Sequence, residues 1–354
     1  MTKHPKSLRR RTRGHDGYGR ALLLTAAVAA ALLLGVACLY SHWRQQRLSI
    51  LESGSGLTLL PQGVMEYADR GDGPVVLVIH GSPGGYDQGL VYGEELKRRG
   101  FRIIAISRPG YLRTPLLTGV TMEEQADAID SLLSTLGITS CAVLGIAEGA
   151  PSALQLAMRH PERVTTLALL SPTSMSLGSP PIASLGYQLF HDLTGDLGCW
   201  YLSLWLKANP MSLYEQVISF GSTLKPSRAQ ALARDSFADP RQSGFLSGLI
   251  TSITPLSTRE AGIINDNAQL KDLQWTSPMA IAAPLLILTG EEEKKTLYEG
   301  SRKLVSSVPG ASLVVIPLNG HLTPIGREFG PTWDRIADFL KNPLLSRPSL
   351  PSSR

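Results

Sequence analysis

The stretch VLGIAEGAPSAL, residues 143–154, reads as a buried strand, a glycine-rich turn and the start of a helix. The apolar residues before the turn suit a strand that is buried on both faces of a sheet. The residues after it, GAPSALQLAMRHP (149–161), have helical periodicity that ends at a proline. Gly145 and Gly149 flank Ala147 and permit a sharp turn there. The stretch therefore predicts a strand–turn–helix unit of an α/β fold, with Ala147 at the turn.

Strand-like and helix-like segments alternate on both sides of this unit. Apolar, β-branched runs are typical of strands in a parallel sheet, and the segments between several of them have helical periodicity. Between residues 173 and 283 the alternation stops, and a stretch rich in Leu, Ser, Tyr and Trp predicts a helical insertion. Strands are predicted at 74–80, 101–109, 140–147, 163–172, 284–290 and 312–318, and further helices at 123–137 and 328–342. This pattern predicts a mostly parallel sheet with helices on both faces.

The N-terminal region has the features of a membrane anchor. Residues 1–20 hold seven Lys or Arg and one acidic residue, so the formal net charge of +5 belongs to this basic tail. Residues 21–40 carry no charge. As a helix they span roughly 30 Å, the thickness of a bilayer's hydrocarbon core. The basic excess before this segment predicts a single-pass protein with a cytoplasmic N-terminus and its main domain on the outer, periplasmic or extracytoplasmic, side.

Other interpretations of the N-terminal segment remain open. It is also compatible with a signal peptide cleaved after Ala37, or with a lipoprotein acylated at Cys38. Residues 41–56 end in SGSG and are interpreted as a flexible linker, and residues 343–354 as a disordered tail. The three cysteines have no metal or disulfide spacing, which favours free thiols.

Four motifs follow one another at the ends of predicted strands. They are HGSPGG (80–85), SRPGY (107–111), the turn at Ala147, and GEEE with NGH between residues 290 and 321. In this order they resemble the α/β-hydrolase fold superfamily, and the resemblance covers residues 57–342. It implies a serine-hydrolase-like domain in which the insertion described above is a helical cap between the sixth and seventh strands.

The resemblance assigns roles to two backbone amides. In this family the loop after an early strand directs an N–H towards the oxyanion of an acyl-transfer intermediate, and the motif match makes this the Ser82 amide. The second donor of the oxyanion hole is the amide after the nucleophile position, which is Glu148 here. The SRPGY turn is implied to brace the loop beside the active site.

A histidine and an acid complete the implied machinery. His321, in NGH, follows the last predicted strand, where the family places its catalytic base. Glu293 lies three residues after Gly290, where the family pattern G-x-x-D places the acid that orients the histidine. Glu291 and Glu292 remain alternatives for this acid.

The nucleophile position itself is vacant. The family pattern G-x-S-x-G has serine where this chain has Ala147, which has no atom able to attack a carbonyl. Loss of that serine in comparable enzymes costs about 10⁶ in kcat. The sequence therefore favours a degenerate serine hydrolase, a pseudoenzyme that binds a small ligand or a partner. The alternative is an active hydrolase that lacks the elbow serine and in which Glu148 and His321 activate water. Because the other motifs are present, Ala147→Ser alone is expected to create or raise esterase activity.

Several function classes find no support in the sequence. No cofactor is expected and no metal site, because the chain lacks a GK[ST] phosphate loop and an HExxH motif. The net positive charge is confined to residues 1–20, which argues against nucleic acid as a partner. The expected partners are a small-molecule ligand, or an ester or amide substrate, and a membrane contacted through residues 21–40.

Overall fold

The computed structural model of the chain describes residues 15–174, 195–271, 273 and 280–342, with side chains from residue 20 onward. Most of the predicted basic tail, the predicted C-terminal tail and cap residues 175–194 lie outside this range.

Within the described residues, eight strands form one sheet in the order β1-β2-β4-β3-β5-β6-β7-β8. The β1–β2 and β2–β4 pairs are antiparallel, and the other pairs are parallel. The strands are Gly56–Leu60 (β1), Gly63–Arg70 (β2), Val75–Ile79 (β3), Arg102–Ile106 (β4), Cys141–Ile146 (β5), Val164–Leu170 (β6), Leu285–Gly290 (β7) and Ser312–Ile316 (β8). The mostly parallel sheet predicted from the sequence is confirmed.

Helices pack on both faces of the sheet. In chain order, all the helices of the described residues, including the N-terminal helix and those of the cap, are His15–Ser53 (α1), Tyr86–Lys97 (α2), Met122–Thr135 (α3), Ala150–Arg159 (α4), Gly195–Ala208 (α5), Pro210–Phe220 (α6), Pro226–Ala238 (α7), Pro240–Thr251 (α8), Glu260–Lys271 (α9), Lys295–Ser307 (α10) and Phe329–Lys341 (α11). On β3, Val76 and Val78 face a core shared with α2 and α11, whereas Leu77 and Ile79 face α3, α4 and α10. Helices α5–α9 lie between β6 and β7 in the chain, at the position predicted for the cap.

The end of α1 differs from the sequence prediction. The linker predicted at residues 41–56 is wrong, because α1 continues to Ser53 and β1 begins at Gly56. Residues from Arg47 onward belong to the same compact unit as the sheet. Leu51 is buried in its core, and the Leu51 carbonyl accepts a 2.7 Å hydrogen bond from the Tyr86 hydroxyl. These contacts hold the last turns of α1 in a fixed conformation.

Helix α2 was missed by the sequence analysis because two glycines interrupt its helical pattern. Gly89 and Gly93 let the helix lie against β4. A Cβ at Gly89 would be 2.9 Å from Ala105 Cβ, and one at Gly93 would be 2.6 Å from Ile103 Cγ2. Glycine is unfavourable in a helix interior, so close packing on the sheet explains both residues.

Candidate active site

The turn after β5 keeps the geometry of a nucleophile elbow. Ala147 has φ +43°, a left-handed conformation that is uncommon for a residue with a side chain. A Cβ at Gly145 would lie 2.9 Å from Ala153 Cβ, and one at Gly149 would lie 2.4 Å from the His80 carbonyl oxygen. Both glycines are therefore needed for the close approach of strand, helix and neighbouring loop. The turn places residue 147 at the carboxyl end of the interior strand β5, although that residue is alanine.

The Ser82 amide, predicted to be an oxyanion donor, is occupied by a side chain of the same protein. It donates a 2.9 Å hydrogen bond to Oε2 of Glu148. A Cβ at Gly81 would lie 3.0 Å from Ala147 Cβ and 3.2 Å from Glu148 Oε2. The loop backbone, the Ala147 methyl and the Glu148 carboxylate are thus immediate neighbours. From its place in the sequence, Glu148 was expected to act only through its backbone amide or as a water activator, and its contact with the Ser82 amide was not predicted.

His321 and Glu293 meet across the ends of β7 and β8. Nδ1 of His321 lies 3.0 Å from Oε2 of Glu293. The Glu293 side chain is fully buried, and that of His321 is 28% exposed. The other carboxylate oxygen of Glu293 accepts the Lys294 amide at 3.0 Å, which fixes the orientation of the acid. This arrangement is able to hold the imidazole with its second nitrogen free for chemistry.

The two alternative acids of this turn make other contacts. Glu291 accepts the Leu318 amide at 3.2 Å, and Glu292 accepts the Thr223 hydroxyl at 2.6 Å. Among the three acids, the hydrogen bond to His321 is made by Glu293. The spacing three residues past Gly290 was therefore a useful signal, although the catalytic roles of both residues stay predictions.

The charge around His321 favours its protonated form. Burial lowers the pKa of His321, but the charge and hydrogen bond of Glu293 and the charge of Glu148 raise it, and the net pKa lies above its usual value. His321 is therefore neutral, and able to accept a proton, only at a higher pH than an ordinary histidine.

The cap contacts the loops that carry the histidine and the acid. The Gly221 carbonyl, just past α6, accepts the His321 amide at 2.7 Å, and the Thr223 amide donates to the Glu292 carbonyl at 2.9 Å. Lys294 lies 4.9 Å from the centre of the Phe220 ring. The cap sequence has no motif beyond its helical pattern, so these contacts were not predicted.

A buried network supports the loop of residues 80–85, which follows β3. Arg108, from SRPGY, makes two hydrogen bonds to the Asp266 carboxylate of cap helix α9, at 2.8 and 2.5 Å. Its Nε donates to the His80 carbonyl at 3.0 Å, and its amide donates to His80 Nε2 at 2.9 Å. Burial, together with the Arg108 charge, lowers the pKa of His80, which matches a neutral ring accepting at Nε2. Tyr111 donates to Asp266 at 2.5 Å. The expected bracing role of SRPGY thus involves a cap residue that the sequence did not reveal.

Two serines near the elbow are held in structural hydrogen bonds. The buried Ser152 hydroxyl donates to Gln125 Oε1 at 2.7 Å. The Ser82 hydroxyl lies 3.0 Å from the Tyr111 hydroxyl, in the network under the loop. Both hydroxyls are thus held by hydrogen bonds within the protein, and neither takes the position of the missing nucleophile.

A cluster of possible metal ligands within the described residues lies outside this site. Asp130, His160 and Glu162 bring ligand atoms within 4.8 Å of one another. His160 already contacts Asp127 at 2.8 Å, and Asp130 contacts Arg163 at 2.5 Å. His160 and Asp130 are therefore already engaged by neighbouring side chains, and Glu162 is exposed.

Comparison with known proteins gives consistent results. A family model described as alpha/beta hydrolase fold matches residues 74–193. A solved structure, an alpha/beta hydrolase fold protein from Nakamurella multipartita, is 30% identical and has a TM-score of 0.73. It is matched over 99% of its own chain and 81% of this one.

Curated relatives are similar over most of their length. The uncharacterized hydrolase YcgS of Bacillus subtilis is 28% identical over 290 residues, which are 79% of this chain and 96% of the relative. The 2-hydroxymuconate semialdehyde hydrolase of Pseudomonas putida is 26% identical over 294 residues, which are 80% and 92% of the two chains.

Proposed function

Because this chain belongs to the α/β-hydrolase fold family, we propose that it is a degenerate serine hydrolase, which binds a small ligand or a partner without hydrolysing it. The observation that carries the proposal is the hydrogen bond from the Ser82 amide to the Glu148 carboxylate, beside the Ala147 methyl. The name of the Pseudomonas putida relative, a 2-hydroxymuconate semialdehyde hydrolase, supports a small molecule as the ligand class.

The position of Glu148 bears directly on acyl-transfer chemistry. An ester or amide carbonyl gains its transition-state stabilisation from amides such as that of Ser82, and losing one such donor costs about 10²–10³ in kcat. The same amide cannot hold a substrate oxygen while it holds Glu148. A water activated by Glu148 in this position would therefore attack a carbonyl that lacks its oxyanion donor. Two defects, the missing hydroxyl and the occupied amide, thus act together.

The contact between Glu148 and the Ser82 amide changes the expected outcome of restoring the serine. Ala147→Ser alone supplies a nucleophile but leaves the Ser82 amide occupied. Ala147→Ser with Glu148→Met also removes the competing carboxylate, while the backbone amide of residue 148 remains. We expect the double variant to hydrolyse a p-nitrophenyl acyl ester, and to react with a fluorophosphonate probe, about 10²-fold faster than the single variant.

Matched variants identify the cause of any gain. Glu148→Gln with Ala147→Ser keeps an oxygen that accepts from Ser82, so its rate should fall between those of the other two. His321→Ala in the double variant should abolish the gain, because the serine then has no base. Equal rates for the single and double variants would contradict the role given to Glu148, and no activity in any variant would place the defect elsewhere.

An active hydrolase is the second candidate, favoured by the intact pair of His321 and Glu293 at 3.0 Å. In this case the unmodified chain turns over a labile ester through water activated by His321, and the side chain of Glu148 moves off the Ser82 amide. Turnover by the unmodified chain that is lost in His321→Ala would support this candidate and exclude the degenerate one.

We further propose that the chain is anchored in a membrane through residues 21–40, with its hydrolase domain on the outer side. Among the described residues, one helix, Arg20–Ser53, is long and apolar enough to span a bilayer by length and composition. The basic residues that precede it support a cytoplasmic N-terminus.

A further inference from the structure

Cap helix α5 carries an exposed apolar stripe. Leu197, Tyr201 and Leu204 are 52%, 62% and 45% exposed. Their spacings of four and three residues place them on one face of the helix. Single exposed apolar side chains are ordinary, whereas an aligned group of large ones marks a surface that meets another apolar body.

The beginning of α5 is attached to the turn that follows α8. The Asp196 carboxylate accepts hydrogen bonds from the Ser257 amide at 3.0 Å and the Ser257 hydroxyl at 2.6 Å. Arg47, in the docked end of α1, donates to the carbonyls of Thr251 and Thr254 at 3.3 and 3.4 Å. The stripe therefore lies in the part of the domain that also contacts the end of α1.

Chain length limits how far this region can be from a bilayer. Tyr40, the last residue of the proposed membrane segment, precedes Arg47 by seven residues. Even a fully extended chain of that length spans only about 25 Å. Whatever the conformation of the residues between Tyr40 and Arg47, this short connection keeps this part of the domain close to the lipid surface.

We propose that the apolar stripe of α5 rests on the lipid surface of the membrane that anchors the chain, an inference that depends on the anchoring proposed above. Tyrosine between leucines suits the interface, where amphipathic rings sit at headgroup depth. Lys207 is exposed and lies three residues after Leu204, so its ammonium group is placed to meet anionic headgroups. A bilayer is the favoured binding partner of the stripe because the short connection from Tyr40 to Arg47 keeps the domain of every anchored molecule close to it.

The test uses the full chain in vesicles of phosphatidylethanolamine and phosphatidylglycerol. Cys38→Ser removes the exposed native thiol, while Cys141 and Cys199 are buried and remain. Into this background a single cysteine is introduced and labelled with an environment-sensitive fluorophore. Vesicle flotation reports anchoring, and quenching by lipids with a spin label near the headgroup reports contact.

Two positions on the stripe are compared with a control. Tyr201→Cys and Leu204→Cys lie on the stripe. Val315→Cys is also an exposed apolar position, on β8 at the opposite edge of the sheet from β1, about 30 Å away at the usual strand spacing. We expect the stripe labels to lose about half of their emission, as for a helix buried about 5–10 Å into the interface, and the control to lose little.

The possible outcomes separate this inference from the anchoring proposal. Flotation with quenching confined to the stripe supports both. Flotation without quenching, or with equal quenching at Val315, overturns the lipid contact and leaves the anchor in place. A stripe label that is shielded from water yet unquenched would mean that a protein covers it, which also overturns the inference. A chain that does not float with the vesicles overturns the anchor and, with it, the lipid contact.

Discussion

Ala147 shows that backbone geometry and chemistry at this site are separable. A residue with a Cβ in the left-handed region costs about 1–2 kcal/mol. The conformation at φ +43° persists because the packing of Gly145 and Gly149 leaves the turn little other choice. The elbow is therefore maintained by its neighbours and does not depend on the residue at its apex.

His321 should make the stability of the protein depend on pH in a defined direction. Its folded-state pKa is raised above the value near 6.5 expected when unfolded, so its pairing stabilises the fold fully below that pH. The contribution is lost as the pH rises through the folded-state pKa. We expect His321→Gln to lower the free energy of unfolding more at pH 5.5 than at pH 8.5, as measured by denaturant titration.

Glu293→Gln is the matched control for that pH dependence. It removes the charge that contributes most to raising the pKa of His321, so the lowering of that pKa by burial is no longer offset. Substituting His321 in this background should therefore no longer lower the free energy of unfolding more at pH 5.5 than at pH 8.5. A larger effect of His321→Gln at the alkaline pH would contradict the assignment of a raised pKa.

At the scale of elements, strands and helices with a regular apolar pattern could be predicted from the sequence. Elements whose residues are explained by contacts with a distant part of the chain were missed. The buried strands were recognisable because β3, β5 and β7 are continuous apolar runs. The antiparallel pair β1–β2 lacks such runs. Helix α2 contains glycines that are explained only by its close packing against β4. Local patterns carry no information about a partner that is distant in the chain.

Replacing glycine by alanine should have opposite effects on thermal stability at an open helical position and at one packed against the sheet. In a helix interior, glycine to alanine normally stabilises by about 1 kcal/mol. Gly244 in α8 has open space around its missing Cβ, so Gly244→Ala should follow this rule. Gly93→Ala places a Cβ 2.6 Å from the buried Ile103 and should lower the melting temperature instead. Thermal unfolding of both variants checks the pair, and stabilisation by Gly93→Ala would show that α2 is free to move away from β4.

At the scale of the whole molecule, the order of motifs predicted the site better than any single motif. The Gly-x-x-Glu motif at the end of β7 and the NGH motif after β8 were sufficient to predict that Glu293 and His321 lie together. Asp266, by contrast, has no motif, and its pairing with Arg108 exists only because the cap folds back onto the domain. The contact of Glu148 with Ser82 likewise depends on a side-chain conformation that spacing does not encode.

The proposed topology predicts the result of proteolysis on intact cells. Protease added to cells without an outer permeability barrier should digest the hydrolase domain, because the basic N-terminus favours its export. A tag placed before residue 20 should survive until the cells are lysed. A domain that is protected in intact cells and digested only after lysis would show that the orientation is wrong.

The carboxylate on the Ser82 amide also acts as an internal competitor. An external anion that needs this amide binds only those molecules in which Glu148 has moved away, so its apparent dissociation constant is divided by the fraction of open molecules. Each tenfold reduction in that fraction weakens such a ligand by about 1.4 kcal/mol. A neutral ligand that leaves the amide untouched bears no such penalty. We therefore expect the site to disfavour carboxylates, the products that an ester hydrolase of this fold would release.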